Sequence, residues 1–210
     1  GRVIVALPGA AAPDIAEEAI PGVADTTGDR RQRLGLAVIG DADLARVVPL
    51  MVKMLPDSVI LTIAASMELN ALSQELDRVV LARLPRALEK HRPAVVIVEL
   101  GGNDGLRGLP ARDVRSNLDS IVRLSRKSGA KVLLIGMRIP PNYGPSYTRD
   151  FHQVFAEVAN QHKLPLVPFF LDGIALDDGL MQEDGLHPNA PAQPQLLAQV
   201  WPQLRPLLAR

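Results

Sequence analysis

Residues 94–105, Ala-Val-Val-Ile-Val-Glu-Leu-Gly-Gly-Asn-Asp-Gly, decide the fold. The first seven form an almost unbroken, β-branched apolar run, which suits a strand buried on both faces of a parallel sheet. The glycines that follow let the backbone turn tightly and approach a ligand closely. A second run of the same kind stands at Lys131–Ile135. Outward from these two, shorter apolar runs at 3–7, 36–39, 59–64 and 164–169 read as further strands. Helical patterns fill the intervals at 14–20, 43–54, 68–90, 111–128 and 147–161. A last helix is expected from about Gln193 to Leu208, with Pro202 as the place where it would break or kink.

This alternation predicts an α/β protein, a three-layer α/β/α arrangement around a mostly parallel sheet of five to six strands. Ligands of such sheets bind beyond the carboxyl ends of the strands. The loops selected by that rule start near Gly40, Ser66, Gly101, Gly136 and Phe170. Residues 138–146, with Pro140, Pro141, Gly144 and Pro145, read as a long structured loop. No repeat, low-complexity tract or linker divides the chain, so residues 1–210 are expected to form one domain.

Composition excludes several classes of function. The 23 basic and 23 acidic residues cancel, which gives no whole-chain footprint for nucleic acid or an anionic membrane. The cluster Arg30, Arg31, Arg33 has no aromatic beside it and reads as a solvated turn. Aromatics make up 3% of the chain, too few for a base-stacking platform. The absence of cysteine rules out disulfides, thiolate zinc sites and a cysteine nucleophile. No apolar run reaches membrane-spanning length, and Gly1-Arg2-Val3 does not open a signal peptide, a segment that a secreted protein would have lost. Cytoplasm and periplasm both fit.

The strongest catalytic signal is Asp184-Gly185-Leu186-His187. A carboxylate three residues before a histidine on one short turn can fix the imidazole's tautomer and orientation, so that the ring serves as a general base. Pro188 suits the first turn of a helix and would leave His187 near its cap. Asn103, at the mouth of the sheet, offers an amide N–H to a developing oxyanion. The same Gly-Asn-Asp segment also fits an ordinary turn. A metal site from Asp177, Asp178, Asp184 and His187 is the competing reading, but it lacks a second histidine at ligand spacing.

Three segments in this order, VIVELGGNDGLRG at 96–108, KVLLIGMRIPPNYG at 131–144 and DGLHPN at 184–189, resemble the SGNH (GDSL) hydrolase superfamily. The likeness is closest to its arylesterase, acyl-thioesterase I and lysophospholipase L1 branch, and it spans about residues 81–206. The resemblance implies an SGNH, flavodoxin-like fold with His187 as base, Asp184 as its orienting acid and Asn103 as oxyanion donor. It implies that 104–109, including Asp104, Gly105 and Leu106, is a mobile segment beside the acyl pocket. Pro141, Asn142 and Tyr143 would help line the substrate cleft. It further implies no metal or organic cofactor, a small aryl ester, acyl thioester or lysophospholipid as substrate, no nucleic-acid partner, and a periplasmic or secreted location.

The first 80 residues depart from that pattern. The superfamily's Gly-Asp-Ser is absent, and the nearest match is Gly40-Asp41-Ala42-Asp43, with Ala42 where the serine is expected. A second register takes 3–7 as the first strand and puts Gly9-Ala10-Ala11 at the nucleophile turn, again without serine. Leu69 stands where the glycine of the second oxyanion motif is expected. Ser66, between a strand and a helix, and Ser73 are the alternative nucleophiles, although Ser66 also fits a helix N-cap. Three readings follow: a serine ester hydrolase, a catalytically silent SGNH-fold protein that binds acyl or ester ligands, or a chain whose residues 1–80 are altered or chimeric relative to an active enzyme.

Overall fold

The computed structural model describes residues 84–208 with their side chains, and in addition the backbone of Val3–Ala6, Leu34–Asp41, Ser58–Ala65 and residues 76–83. The helices expected at 14–20 and 43–54, the start of that expected at 68–90, the 9–11 turn and the Arg30–Arg33 cluster lie outside the described residues.

The strands are β1 (Val3–Ala6), β2 (Leu34–Asp41), β3 (Ser58–Ala65), β4 (Val95–Glu99), β5 (Lys131–Ile135) and β6 (Leu166–Val167). They pair in the order β1-β3-β2-β4-β5-β6, and every pair is parallel. The helices are α1 (Leu76–His91), α2 (Gly102–Leu106), α3 (Ala111–Lys127), α4 (Pro145–His162) and α5 (Gln193–Leu208). The connection from β2 to β3 runs one way along the sheet, and that from β3 through α1 to β4 runs back past β2. The strand order therefore reverses between β2 and β4, whose facing ends pair Gly40 with Glu99. In a doubly wound sheet that reversal is where a ligand crevice opens.

Both central apolar runs behave as their composition dictates. All five residues of β4 are buried, as are Val132, Leu133, Leu134 and Ile135 of β5. Helix α3 packs beside both α1 and α4 in one layer against the sheet. Helix α3 buries Val114, Leu118, Ile121 and Val122, and α4 buries Phe151, Val154, Phe155 and Val158, each at helical spacing. Phe151 and Phe155 meet edge to face, with ring centroids 5.5 Å apart. Helix α5 packs on β5 and β6 and supplies the opposite layer through Leu196, Val200 and Leu204.

Two local expectations are corrected, while the last helix keeps its expected bounds. The strand expected at 164–169 is only Leu166–Val167, because Pro165 and Pro168 bracket it without N–H donors. Pro202 does not end the last helix, which continues to Leu208 through both Pro202 and Pro206. The buried face holds it, and Lys131 Nζ donates to the Leu207 carbonyl at 2.9 Å near its end. Pro188 does not begin a helix. It pairs with Met181 in an isolated antiparallel bridge, and a short 3₁₀ turn at Ala190–Ala192 precedes α5.

Candidate active site

The loop after β4 is a short helix rather than the plain turn its composition also allowed. Gly101 enters it with φ of 105°, a left-handed conformation that favours glycine, and a Cβ there would lie 3.3 Å from Phe155 and Val114 side-chain atoms. Helix α2 then lies close on the core. A Cβ on Gly105 would sit 2.6 Å from Ile139 Cγ2 and 2.7 Å from the Phe151 ring, so residue 105 has no room for a side chain. Asp104 is buried beside it, and Asn103, on the first turn, is partly exposed. The Arg107 N–H donates to the Asn103 carbonyl at 3.1 Å, which fixes the backbone that carries the amide.

Two tyrosines tie this loop to the one after β5. Tyr143, in the 3₁₀ turn Pro141–Tyr143, donates its hydroxyl to the Leu106 carbonyl at 2.7 Å. Tyr147, at the start of α4, donates to the Leu109 carbonyl at 2.7 Å, with the Gly105 carbonyl at 3.3 Å. Burial, and then the nearby Asp104 carboxylate, push the Tyr147 hydroxyl above its ordinary pKa, so it stays a donor. The Leu109 N–H closes the segment back onto the Asp104 carbonyl at 3.0 Å. Leu106 and Tyr143, both expected to line the substrate cleft, are thus brought together. Pro141 and Asn142 are exposed on the same turn, whereas Asp104 and Gly105 face the core.

The Asp184–His187 turn is formed in full. Asp184 Oδ1 accepts the backbone N–H groups of Leu186 at 2.9 Å and His187 at 3.0 Å. Its Oδ2 lies 2.6 Å from His187 Nδ1. Gly185, with φ of 64°, supplies the left-handed residue that lets the chain fold back so tightly. The hydrogen bond from the imidazole, followed by the His187 and Leu186 N–H groups, lowers the Asp184 pKa to about 2. The carboxylate is therefore ionised at neutral pH, Nδ1 carries the hydrogen, and proton transfer falls to Nε2.

A surrounding frame holds that turn. The Gln182 N–H donates to the His187 carbonyl at 2.7 Å, and Gln182 Nε2 reaches the Pro188 carbonyl at 3.0 Å. Asn189 Nδ2 donates to the carbonyls of Gly179 and Met181 at 2.8 and 3.2 Å. Sequence reasoning did not assign these positioning roles to Gln182, Asn189 or Tyr147. Asn189 stood within the DGLHPN segment, but nothing in the sequence singled out Gln182, whose role depends on the bridge between Met181 and Pro188. Asp177 Oδ1 accepts the Gly179 N–H, and among the described residues no three His, Asp or Glu side chains are grouped to hold a metal.

Ala42, Ser66, Ser73 and Leu69 lie outside the described residues. The strand leading to Ala42 is nevertheless placed: β2 ends at Asp41, at the point of strand-order reversal beside β4. In contrast, β1 pairs with β3 alone at the edge of the sheet.

Comparison with known proteins identifies the family and the fold. The profile of the GDSL-like Lipase/Acylhydrolase family matches residues 40–193. The chain is 54% identical over 128 residues to Esterase TesA of Pseudomonas aeruginosa, covering 61% of this chain and 64% of that protein. It is 41% identical over 128 residues to Thioesterase 1/protease 1/lysophospholipase L1 of Escherichia coli K12, covering 61% and 62%. These alignments take in less than two thirds of the length of the curated relatives. A crystal structure of TesA superposes with a TM-score of 0.74 at 43% identity, covering 83% of this chain and 99% of that one. A matching profile over most of the chain and the shared fold together show that this protein belongs to the GDSL-like lipase/acylhydrolase family, the SGNH hydrolases.

Proposed function

We propose that the chain is a serine ester hydrolase acting on carboxylic esters or thioesters through an acyl-enzyme. The observation that carries this reading is the Asp184–His187 pair, with its 2.6 Å contact and an ionised carboxylate. His187 Nε2 takes the proton of a serine hydroxyl as that oxygen attacks the acyl carbonyl. The tetrahedral oxyanion is held in part by Asn103, and its collapse expels the alcohol or thiol with the proton returned from His187. Water activated by the same imidazole then releases the acid. Aryl esters, acyl thioesters and lysophospholipids are the proposed substrates, by similarity to the thioesterase 1/protease 1/lysophospholipase L1 of Escherichia coli and to an arylesterase of Vibrio mimicus, 44% identical over 114 residues. Leu106, Pro141, Asn142 and Tyr143 form the proposed acyl-side wall, with the buried Asp104 and Gly105 behind it. This reading takes the fold as one domain with the five- to six-stranded sheet of the superfamily, needs no cofactor, and places the protein in the periplasm or outside the cell.

Ser66 and Ser73 are the candidate nucleophiles. Ala42 at the expected serine position favours a second reading, a catalytically silent SGNH-fold protein that binds acyl or ester ligands. Turnover of p-nitrophenyl butyrate separates the two. The hydrolase reading expects turnover that falls at least a hundredfold in His187→Ala. The silent reading expects no turnover, together with a rise in Tm on adding a fatty acid.

A further inference from the structure

Arg138 follows β5 by three residues, and Phe169 follows β6 by two, so both stand at the carboxyl edge of the sheet. The guanidinium carbon of Arg138 lies 5.1 Å from the Phe169 ring centroid, a cation–π contact. Its Nη2 is 3.5 Å from His152 Nε2, the long limit of a hydrogen bond. His152 Nδ1 faces the Met137 carbonyl at 3.3 Å, and a carbonyl only accepts. That contact assigns the hydrogen to Nδ1 in the neutral ring and leaves Nε2 as the acceptor for Arg138.

An aromatic face and an imidazole nitrogen therefore orient an exposed guanidinium that no carboxylate neutralises among the described residues. Some other arginines are paired with carboxylates, although Arg126 reaches only a carbonyl among the described residues, that of His162 at 3.1 Å. Arg115 pairs with Glu157 at 3.3 Å, Arg123 with Asp119 at 3.1 Å and Arg149 with Asp150 at 3.1 Å. The fork of Arg138 stays available for a planar or tetrahedral anion, which guanidinium binds through two parallel N–H donors.

We propose that Arg138, held by Phe169 and His152, is a specificity-determining residue that receives the phosphate of an amphiphilic ester substrate. The edge that carries it also carries the loops of Asn103 and of Asp184–His187, which follow β4 and β6. A substrate whose carbonyl meets those loops would extend its charged group along the sheet toward Arg138. The assignment takes the identity of this edge from the hydrolase reading, and its test reads binding rather than turnover.

The test is calorimetric titration of the full chain with octyl phosphate, 1-octanol and inorganic phosphate. The wild-type chain is expected to bind octyl phosphate more tightly than octanol by roughly tenfold or more, the lower end of the scale for a charge-assisted hydrogen bond. Arg138→Gln, checked for an unchanged Tm, is expected to bring that ratio below about two. Arg138→Lys, a point charge without the fork, should fall between them. The assignment is overturned if the wild type shows no preference, if the preference survives in Arg138→Gln, or if inorganic phosphate binds as tightly as octyl phosphate. A chain that shows the preference but cleaves no ester would sink the hydrolase reading and leave this one standing.

Discussion

Asp184 gives up both of its oxygens to a turn of four residues, and the chemistry of the candidate site rests on that commitment. Asp184→Asn keeps the shape but offers an amide where the imidazole needs an acceptor, so the ring loses its fixed tautomer. In triads built this way the substitution costs about a thousandfold to ten-thousandfold in kcat, and the same is expected here for ester turnover. The acid limb follows from the lowered pKa. A carboxyl whose folded value is depressed to about 2 stabilises the turn fully above its unfolded value, and that contribution is lost as pH falls through the folded one. Protection factors of the Leu186 and His187 amides, which divide out the intrinsic pH dependence of exchange, should therefore hold from neutral pH down to about 4 and fall between about 4 and 2. In Asp184→Asn that step should be absent. Persistence of the step in the variant would assign it to another group.

Packing around two glycines decides the geometry of the site-bearing elements. A Cβ on Gly136 would stand 2.3 Å from the Pro168 carbonyl oxygen, which is backbone and has little room to shift. At Gly105 the obstacles are the side chains of Ile139 and Phe151, which can give a little. Overpacking of this sort costs about 1–3 kcal/mol. For a chain of this size a Tm fall of roughly 3–10 °C is expected, larger for Gly136→Ala than for Gly105→Ala. The reverse ranking in thermal melts would contradict the packing argument. The frame of the histidine turn makes a different prediction. Asn189→Ala removes the donors to Gly179 and Met181 from a surface loop, so ester turnover should drop about tenfold while Tm moves by only a few degrees. Equal loss of both would mean that Asn189 serves the fold rather than the site.

At the scale of the whole molecule, what could be read in advance depended on how local the governing physics is. Strands β4 and β5 were legible because burial on both faces leaves an uninterrupted apolar run. Helices α3 and α4 showed through their periodic buried faces. The expected strand at 164–169 is longer than β6 because Pro165 and Pro168 bracket an edge strand, whereas α5 keeps its expected bounds, with Leu196, Val200 and Leu204 in the core holding it across Pro202. The Asp184–His187 turn was legible since its contacts span three residues. The ties from Tyr143 and Tyr147 to the α2 loop span about forty residues, and no local pattern announces such contacts.

The same scale frames the open chemical question. The family profile spans residues 40–193; within it His187 and Asn103 are the proposed base and oxyanion donor, and Ala42 occupies the place expected of the nucleophile. Labelling with a fluorophosphonate probe, followed by peptide mapping, tests the central claim most directly. The hydrolase account predicts one labelled serine, Ser66 or Ser73, and loss of that label in His187→Ala. No label on any serine, with no p-nitrophenyl ester turnover, would contradict it.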